Sequence, residues 1–510
     1  MASPQRVILR SGHSPRLEGR TAVFAGFAAL LAIVSIPLFS TVLPPLVDYP
    51  NHLARLHLIA EGGNQFYAVR WAPLPDLAAD IIVPSLARIV PLALAGKLFL
   101  VLTFALIAGG TVWLHRAAAG NWSPWPLLAF LLLYDRILLW GFINYLFGLG
   151  VALCGLALWL SLDERPGWRS ITAPLVALAC FFSHIEAFGI YALAVAGIEL
   201  PPMLALWRGT QYRRLATRGA IGMAQFFVPA TLFLWFQPTS PSGAVSYGSP
   251  LRKLDLLFSI FDNYNRPFDI ACFTLFILLL GGLAWRRRLT IAPRLGAALA
   301  VLVVAYLLLP SQLMTGSGVD RRLPTALFLL LIAAATPHLP PRAARLVAAG
   351  VAVLFVVRMA VIEIVWVAAD RRYADDIAVL DRLPAGARLA VAYPPRDVNA
   401  GMIPELHVAT LAVARREAFV PTLFAYPTQQ PLAMRTPYDA IAARTSPSAL
   451  WAAFVIGDAA ARAAAAPVLK GYDFIVFADR EPFAVPPRAC LAPVAATARF
   501  QLLSLRPGCL

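Results

Sequence analysis

TAVFAGFAALLAIVSIPLFSTV, residues 21–42, is followed after Leu43-Pro44-Pro45-Leu46 by VDYPNHLAR, residues 47–55. The first stretch runs for 22 residues without a charged side chain. A helix crossing the hydrocarbon core of a bilayer needs about 20 such residues. The second stretch carries Asp48, His52 and Arg55, spaced so that all three fall on one face of a helix that starts where the first leaves the membrane. Arg6, Arg10, Arg16 and Arg20 precede the apolar run. That run is long for a signal-peptide core and lacks a small-residue cleavage site, so it reads as an uncleaved anchor with a cytoplasmic N-terminus.

The rest of the chain has the same character. Of 510 residues, 59% are hydrophobic and only 14% charged, against roughly 25% charged in a soluble domain. A soluble globular protein is excluded, and so is wholesale disorder. Five cysteines are too few for a disulfide-stapled scaffold of this length. The formal charge of +16 lies mostly in short basic tracts between apolar runs. There it sets membrane orientation, and no nucleic-acid partner is expected.

Further apolar runs lie at 92–114, 124–139, 144–161, 171–183, 188–206, 221–236, 270–285, 295–309, 323–336 and 346–367. With the first they make about eleven candidate transmembrane helices. Alternate connections hold Arg165 and Arg169; Arg208, Arg213, Arg214 and Arg218; Arg286, Arg287, Arg288 and Arg294; and Arg342 and Arg345. The positive-inside rule makes these the cytoplasmic loops. Parity then requires two short helices between 171 and 206, meeting near His184 at the outer face. The expectation is a mainly α, polytopic protein of a bacterial inner membrane: a cytoplasmic tail, 1–20; a transmembrane domain, 21–369; and a small periplasmic α/β domain, 370–510. From Asp370 onward, 15 basic and 12 acidic residues nearly balance. Strands are expected at 388–392 and 474–477 and helices at 405–416 and 459–469. Cys490 and Cys509 lie outside the apolar runs, where they either form a disulfide suited to an oxidising compartment or remain two thiols.

The long first outer loop, from Val47 to about Arg88, is the most informative segment. Leu53, Leu56 and Ile59 give its first helix an apolar side, which places that helix in the membrane interface. Asp48 there is either an N-cap, with Pro50 tolerated in the first turn, or a general base held at the membrane surface. Charges near lipid are costly and mark functional candidates. Asp135 and Arg136 interrupt a run and form either an ion pair or a site element. Ser183, His184 and Glu186 occupy a later outer reversal, as turn residues or as the lining of a cavity. Arg321 and Arg322 oppose the positive-inside trend, which fits a phosphate partner or an interfacial pair neutralised by Asp320 and lipid headgroups. The motifs of P-loop, Rossmann, zinc-protease and serine-hydrolase chemistry are absent.

An inside N-terminus, Asp48 directly after the first span, Asp135 in the next outer loop and a C-terminal outer domain together resemble the C-type (GT-C) glycosyltransferases. So do the strings Asp48-Tyr49-Pro50-Asn51-His52, Gly141-Phe142-Ile143-Asn144-Tyr145-Leu146-Phe147-Gly148 and Phe182-Ser183-His184, which look like a bacterial branch of that superfamily. The resemblance covers roughly residues 20–370. It implies an inverting transfer of a sugar from a polyprenyl-phosphate donor to a saccharide, lipid or protein acceptor in the cell envelope, among membrane lipids. It implies Asp48 as the catalytic carboxylate and Arg321 and Arg322 as stabilisers of the phosphate. It implies His52, Arg55, Asp135, His184 and Glu186 as parts of the sugar and acceptor pocket. The first loop lacks a tight Asp-x-Asp or Glu-x-Asp pair, so no metal or other cofactor is assigned, and the divalent cation of metal-using relatives is not carried over. The alternatives are a transporter or flippase of lipid-linked saccharide, disfavoured by span centres nearly free of ionisable groups except Lys97 and Arg358, and a noncatalytic membrane scaffold.

Overall fold

The computed structural model describes residues 15–236, 245–313, 316–395 and 404–506. The first apolar run forms α1 (Pro15–Ser40), and the motif after it forms α2 (Tyr49–Glu61), which has Pro50 in its first turn and ends on Gly62 at φ 79°. The chain continues through α3 (Ala78–Leu86), α4 (Leu92–Ala119), α5 (Arg136–Trp140), α6 (Ile143–Ser161), α7 (Pro166–Ser183) and α8 (Ile185–Arg208). Then come α9 (Tyr212–Ala224), α10 (Phe227–Phe236), α11 (Pro250–Leu257), α12 (Arg266–Trp285), α13 (Pro293–Leu308), α14 (Val319–Ala334) and the 40-residue α15 (Pro341–Leu380).

Each of the expected spans falls on helix, but they are not alike. Among the described residues six helices, α1, α4, α6, α8, α12 and α15, are long and apolar enough to cross a membrane, and α9 with α10, bent by 41°, makes a seventh when the pair is counted as one span. The protein is a multi-pass membrane protein. The run 124–139 is instead a buried 3₁₀ helix (Trp125–Leu132) followed by the five-residue α5. Asp135 causes that restart, because its side chain accepts the Leu138 amide at 2.8 Å and caps α5. The stretch 171–206 does break in two at His184, whose backbone is extended. His184 Nδ1 accepts the Glu186 amide at 3.1 Å and caps α8. Gly148 of α6 faces this break, where a Cβ would lie 2.8 Å from Ala187 Cβ and 2.9 Å from Ser183 Cβ.

The C-terminal part carries a four-stranded sheet. Strand β2 (Leu389–Ala392) runs parallel to β4 (Phe474–Ala478), which pairs antiparallel with β6 (Phe500–Leu505), and β6 pairs antiparallel with β5 (Leu491–Ala496). The two expected strands and the helix Ala459–Leu469 are there. The expected helix at 405–416 is a 3₁₀ turn (Pro404–Thr410) leading into α16 (Leu411–Arg416). Helix α15 passes unbroken through the expected boundary at 370, and Asp370 Oδ1 accepts the amides of Val42 and Leu43 at 2.7 and 3.1 Å. Strand β1 (Tyr67–Val69), from the first loop, pairs antiparallel with β3 (Leu432–Met434) of the C-terminal part. The first loop and the C-terminal part thus lie at the same end of the bundle. Cys490 is partly buried, and Cys509 lies outside the described residues.

Candidate functional site

Helix α2 does not lie on lipid as its amphipathic pattern suggests. Leu53, Leu56 and Ile59 are all buried, and so are Asn51 and Arg55. The membrane helices cover one side and the C-terminal part the other. This is why a helix of mixed polarity is stable there: its polar face meets partners from the C-terminal part rather than headgroups.

Asp48 occupies the N-cap position of α2 but makes no side-chain capping hydrogen bond. Its Oδ1 instead lies 3.3 Å from Nε2 of His407. The backbone behind it is pinned, because Val47 donates to Leu139 O at 2.9 Å and Asp48 to Trp140 O at 3.1 Å. Gly141, at φ 94°, allows that approach; a Cβ there would stand 2.8 Å from Asp48 Cβ. One turn further along α2, His52 Nε2 donates to Gly141 O at 2.9 Å. Burial, reinforced by the charge of Arg55, pushes the His52 pKa down to about 3. The ring is therefore a neutral strut behind Asp48 rather than a cation.

Arg55 is fully buried in a two-pronged ion pair with Asp80 of α3, Nε to Oδ1 at 2.9 Å and Nη2 to Oδ2 at 3.0 Å. Asn144 donates to the Asp76 carbonyl at 2.8 Å and accepts the Ala79 amide at 2.7 Å, which anchors the start of α3. Arg55 thus braces two helices of the first loop instead of reaching into a pocket.

Trp140-Gly141-Phe142 has a second side. The guanidinium of Arg321 lies 5.6 Å from the Trp140 ring centroid and that of Arg322 lies 4.2 Å from that of Phe142. The two rings stack at 6.2 Å, with their planes 8° apart. Glu186 forms an ion pair with Arg322 Nη1, and Tyr145 donates its hydroxyl to Arg322 O at 2.7 Å. His184 packs edge-on against Tyr145 with centroids 5.5 Å apart. Asp320 faces Arg252 at 3.8 Å and Lys253 at 3.7 Å.

The structure therefore brings Asp48, His52, His184, Glu186, Arg321 and Arg322 around one turn. Asp135 and Arg55 stand apart from that group. Asp135 is 1% exposed and accepts the Thr325 hydroxyl at 2.5 Å in addition to capping α5. Arg136 pairs with Asp262 rather than with Asp135. His407 and Asn51 went unread in the sequence. Asn51 sits inside the quoted motif, but His407 lies 359 residues from Asp48 with no local signal. Among the described residues no three His, Cys, Asp or Glu side chains cluster as a metal site.

No family model and no curated sequence relative matches the chain. Among solved structures it is similar to ArnT from Cupriavidus metallidurans bound to undecaprenyl phosphate, at 12% identity and a TM-score of 0.54 over 96% of this chain and 98% of that one. It is also similar to the arabinofuranosyltransferase AftD from Mycobacteria, at 17% identity and a TM-score of 0.48 over 96% of this chain and 40% of that one. The likeness to ArnT runs from end to end of both chains and shows the fold: the polytopic architecture implied by the resemblance to C-type glycosyltransferases.

Proposed function

We propose that this chain is an integral membrane glycosyltransferase of a bacterial inner membrane. It moves a sugar from a polyprenyl-phosphate donor to an acceptor at the periplasmic face, with inversion, and Asp48 is its catalytic carboxylate. The observation that carries the reading is the turn Trp140-Gly141-Phe142, whose backbone holds Asp48 and whose two rings meet the guanidinium groups of Arg321 and Arg322. In a single displacement the acceptor oxygen bonds to the anomeric carbon as the bond from that carbon to the phosphate oxygen breaks. The base and the leaving group then work on opposite faces of the sugar. Asp48 takes the hydroxyl proton, and the arginines meet the charge that grows on the departing lipid phosphate. Glu186 holds Arg322 until a phosphate shares it. His184 lines this donor side, while His52, Arg55 and Asp135 act through the frame that positions it. The shared fold with ArnT, a structure holding undecaprenyl phosphate, supports a polyprenyl-phosphate donor. No metal is assigned.

Asp48→Asn keeps the size of the side chain and removes the base. Mass spectrometry of envelope glycans and glycolipids is expected to show a hexose- or pentose-bearing species lost alike in deletion cells and in cells carrying D48N at wild-type protein level. The rate loss expected from removing a general base is about 100-fold or more. Full retention of that species in D48N cells would sink the assignment.

A further inference from the structure

We infer that His407, supplied by the C-terminal part, is a positioning residue that holds Asp48 in its working orientation; this rests on the transferase reading. The argument starts at Asn51, which is fully buried. Its Oδ1 accepts the Phe424 amide at 2.8 Å and its Nδ2 donates to the Thr422 carbonyl at 2.8 Å. Backbone groups cannot exchange donor and acceptor roles, so the amide has one orientation. The same Nδ2 lies 3.3 Å from His407 Nδ1. An amide nitrogen only donates, so Nδ1 presents its lone pair and the proton of a neutral ring sits on Nε2. His407 Nε2 lies 3.3 Å from Asp48 Oδ1, so the proton it carries is next to that oxygen.

The contact decides between two states of one carboxylate. At an N-cap the ordinary partner of an aspartate is an amide of its own first turn. Asp48 makes no such bond. His407 holds one oxygen, which leaves the other to meet an acceptor hydroxyl. The Phe424 ring lies edge-on to both His407 and His52, at 5.2 and 5.8 Å between centroids, and fixes the plane of each. The site is thus incomplete without the C-terminal part, although every other candidate in it comes from the membrane part.

Two near-isosteres separate positioning from mere attachment. His407→Gln places an amide N–H where Nε2 was and gives up the contact to Asn51. His407→Asn keeps an acceptor for Asn51 and cannot reach Asp48. The rate at which the glycan species returns after induction in deletion cells, per folded protein, is expected to stay within about threefold of wild type for H407Q. It should fall about tenfold or more for H407N and for H407A, the cost of losing one polar partner of a charged group. A role in attachment alone reverses that order, and an H407N rate at or above that of H407Q overturns the proposal. An active D48N protein overturns the transferase reading itself. An inactive D48N with a fully active H407N overturns only the role of His407.

Discussion

Asp76 shows how much one position in the first loop departs from what its residue type suggests. Its backbone is in the left-handed region, φ 79°, and Asn144 holds its carbonyl at 2.8 Å. Burial outweighs the pull of Arg55 and lifts the Asp76 pKa to about 7. In the unfolded chain the same carboxyl titrates near its ordinary 3.8. Between those values the folded state binds a proton that the unfolded state has lost, so this group makes stability fall as pH rises from about 4 to about 7. Asp76→Asn removes that slope and also suits the left-handed backbone. The melting temperature of purified D76N, minus that of wild type, is expected to grow between pH 5 and pH 8; a constant difference would refute the assignment. His52 shows the converse. A histidine beside an aspartate reads as a proton carrier, yet burial leaves it neutral and hydrogen-bonded to Gly141.

Helices α6, α7, α8, α9 and α13 are tied together at the end of the bundle away from Asp48. Asp163 lies 3.0 Å from Arg169 and 2.6 Å from both Arg218 and Arg294. Glu199 of α8 meets Arg169 at 3.4 Å and Arg294 at 3.2 Å, pairs with Arg218 as well, and accepts from the Trp159 indole at 2.8 Å. The cations expected from the positive-inside rule to orient the chain also knit its helices. Glu199→Ala leaves three guanidinium groups to share Asp163 alone, around a site where Glu199 is 4% exposed. A loss of roughly 3–5 kcal/mol is expected, measured by thermal unfolding in detergent, and an unchanged transition would count against the network. The elements around Asp48 were only partly legible. Periodicity gave α2 its position and its polar face. It could not show that the C-terminal part covers that face, because the pattern for a lipid interface and for a polar protein contact is the same.

For the whole molecule, the pairing of β1 with β3 puts the first loop and the C-terminal part on one side of the membrane. The loop between α12 and α13 lies at the other end, where Arg294 joins Asp163. A reporter active only outside the cytoplasm is expected to be active when fused after Leu510 and silent when inserted after Arg287, with both fusions stable. The opposite pattern would move Asp48 to the cytoplasmic face and remove the periplasmic acceptor from the proposal.

The amino-acid sequence by itself determined the class, the alternation of apolar runs and basic loops, the break at His184 and the place of Asp48. Each follows from local hydrophobicity, charge or spacing along one segment. Only the tertiary structure decided which run folds as a short buried helix, which ions pair, and which residues share the turn at Gly141. Pairings such as Arg55 with Asp80, Arg322 with Glu186 and His407 with Asp48 join segments 25, 136 and 359 residues apart. No periodicity spans such separations, because packing and desolvation choose those partners once the helices have met.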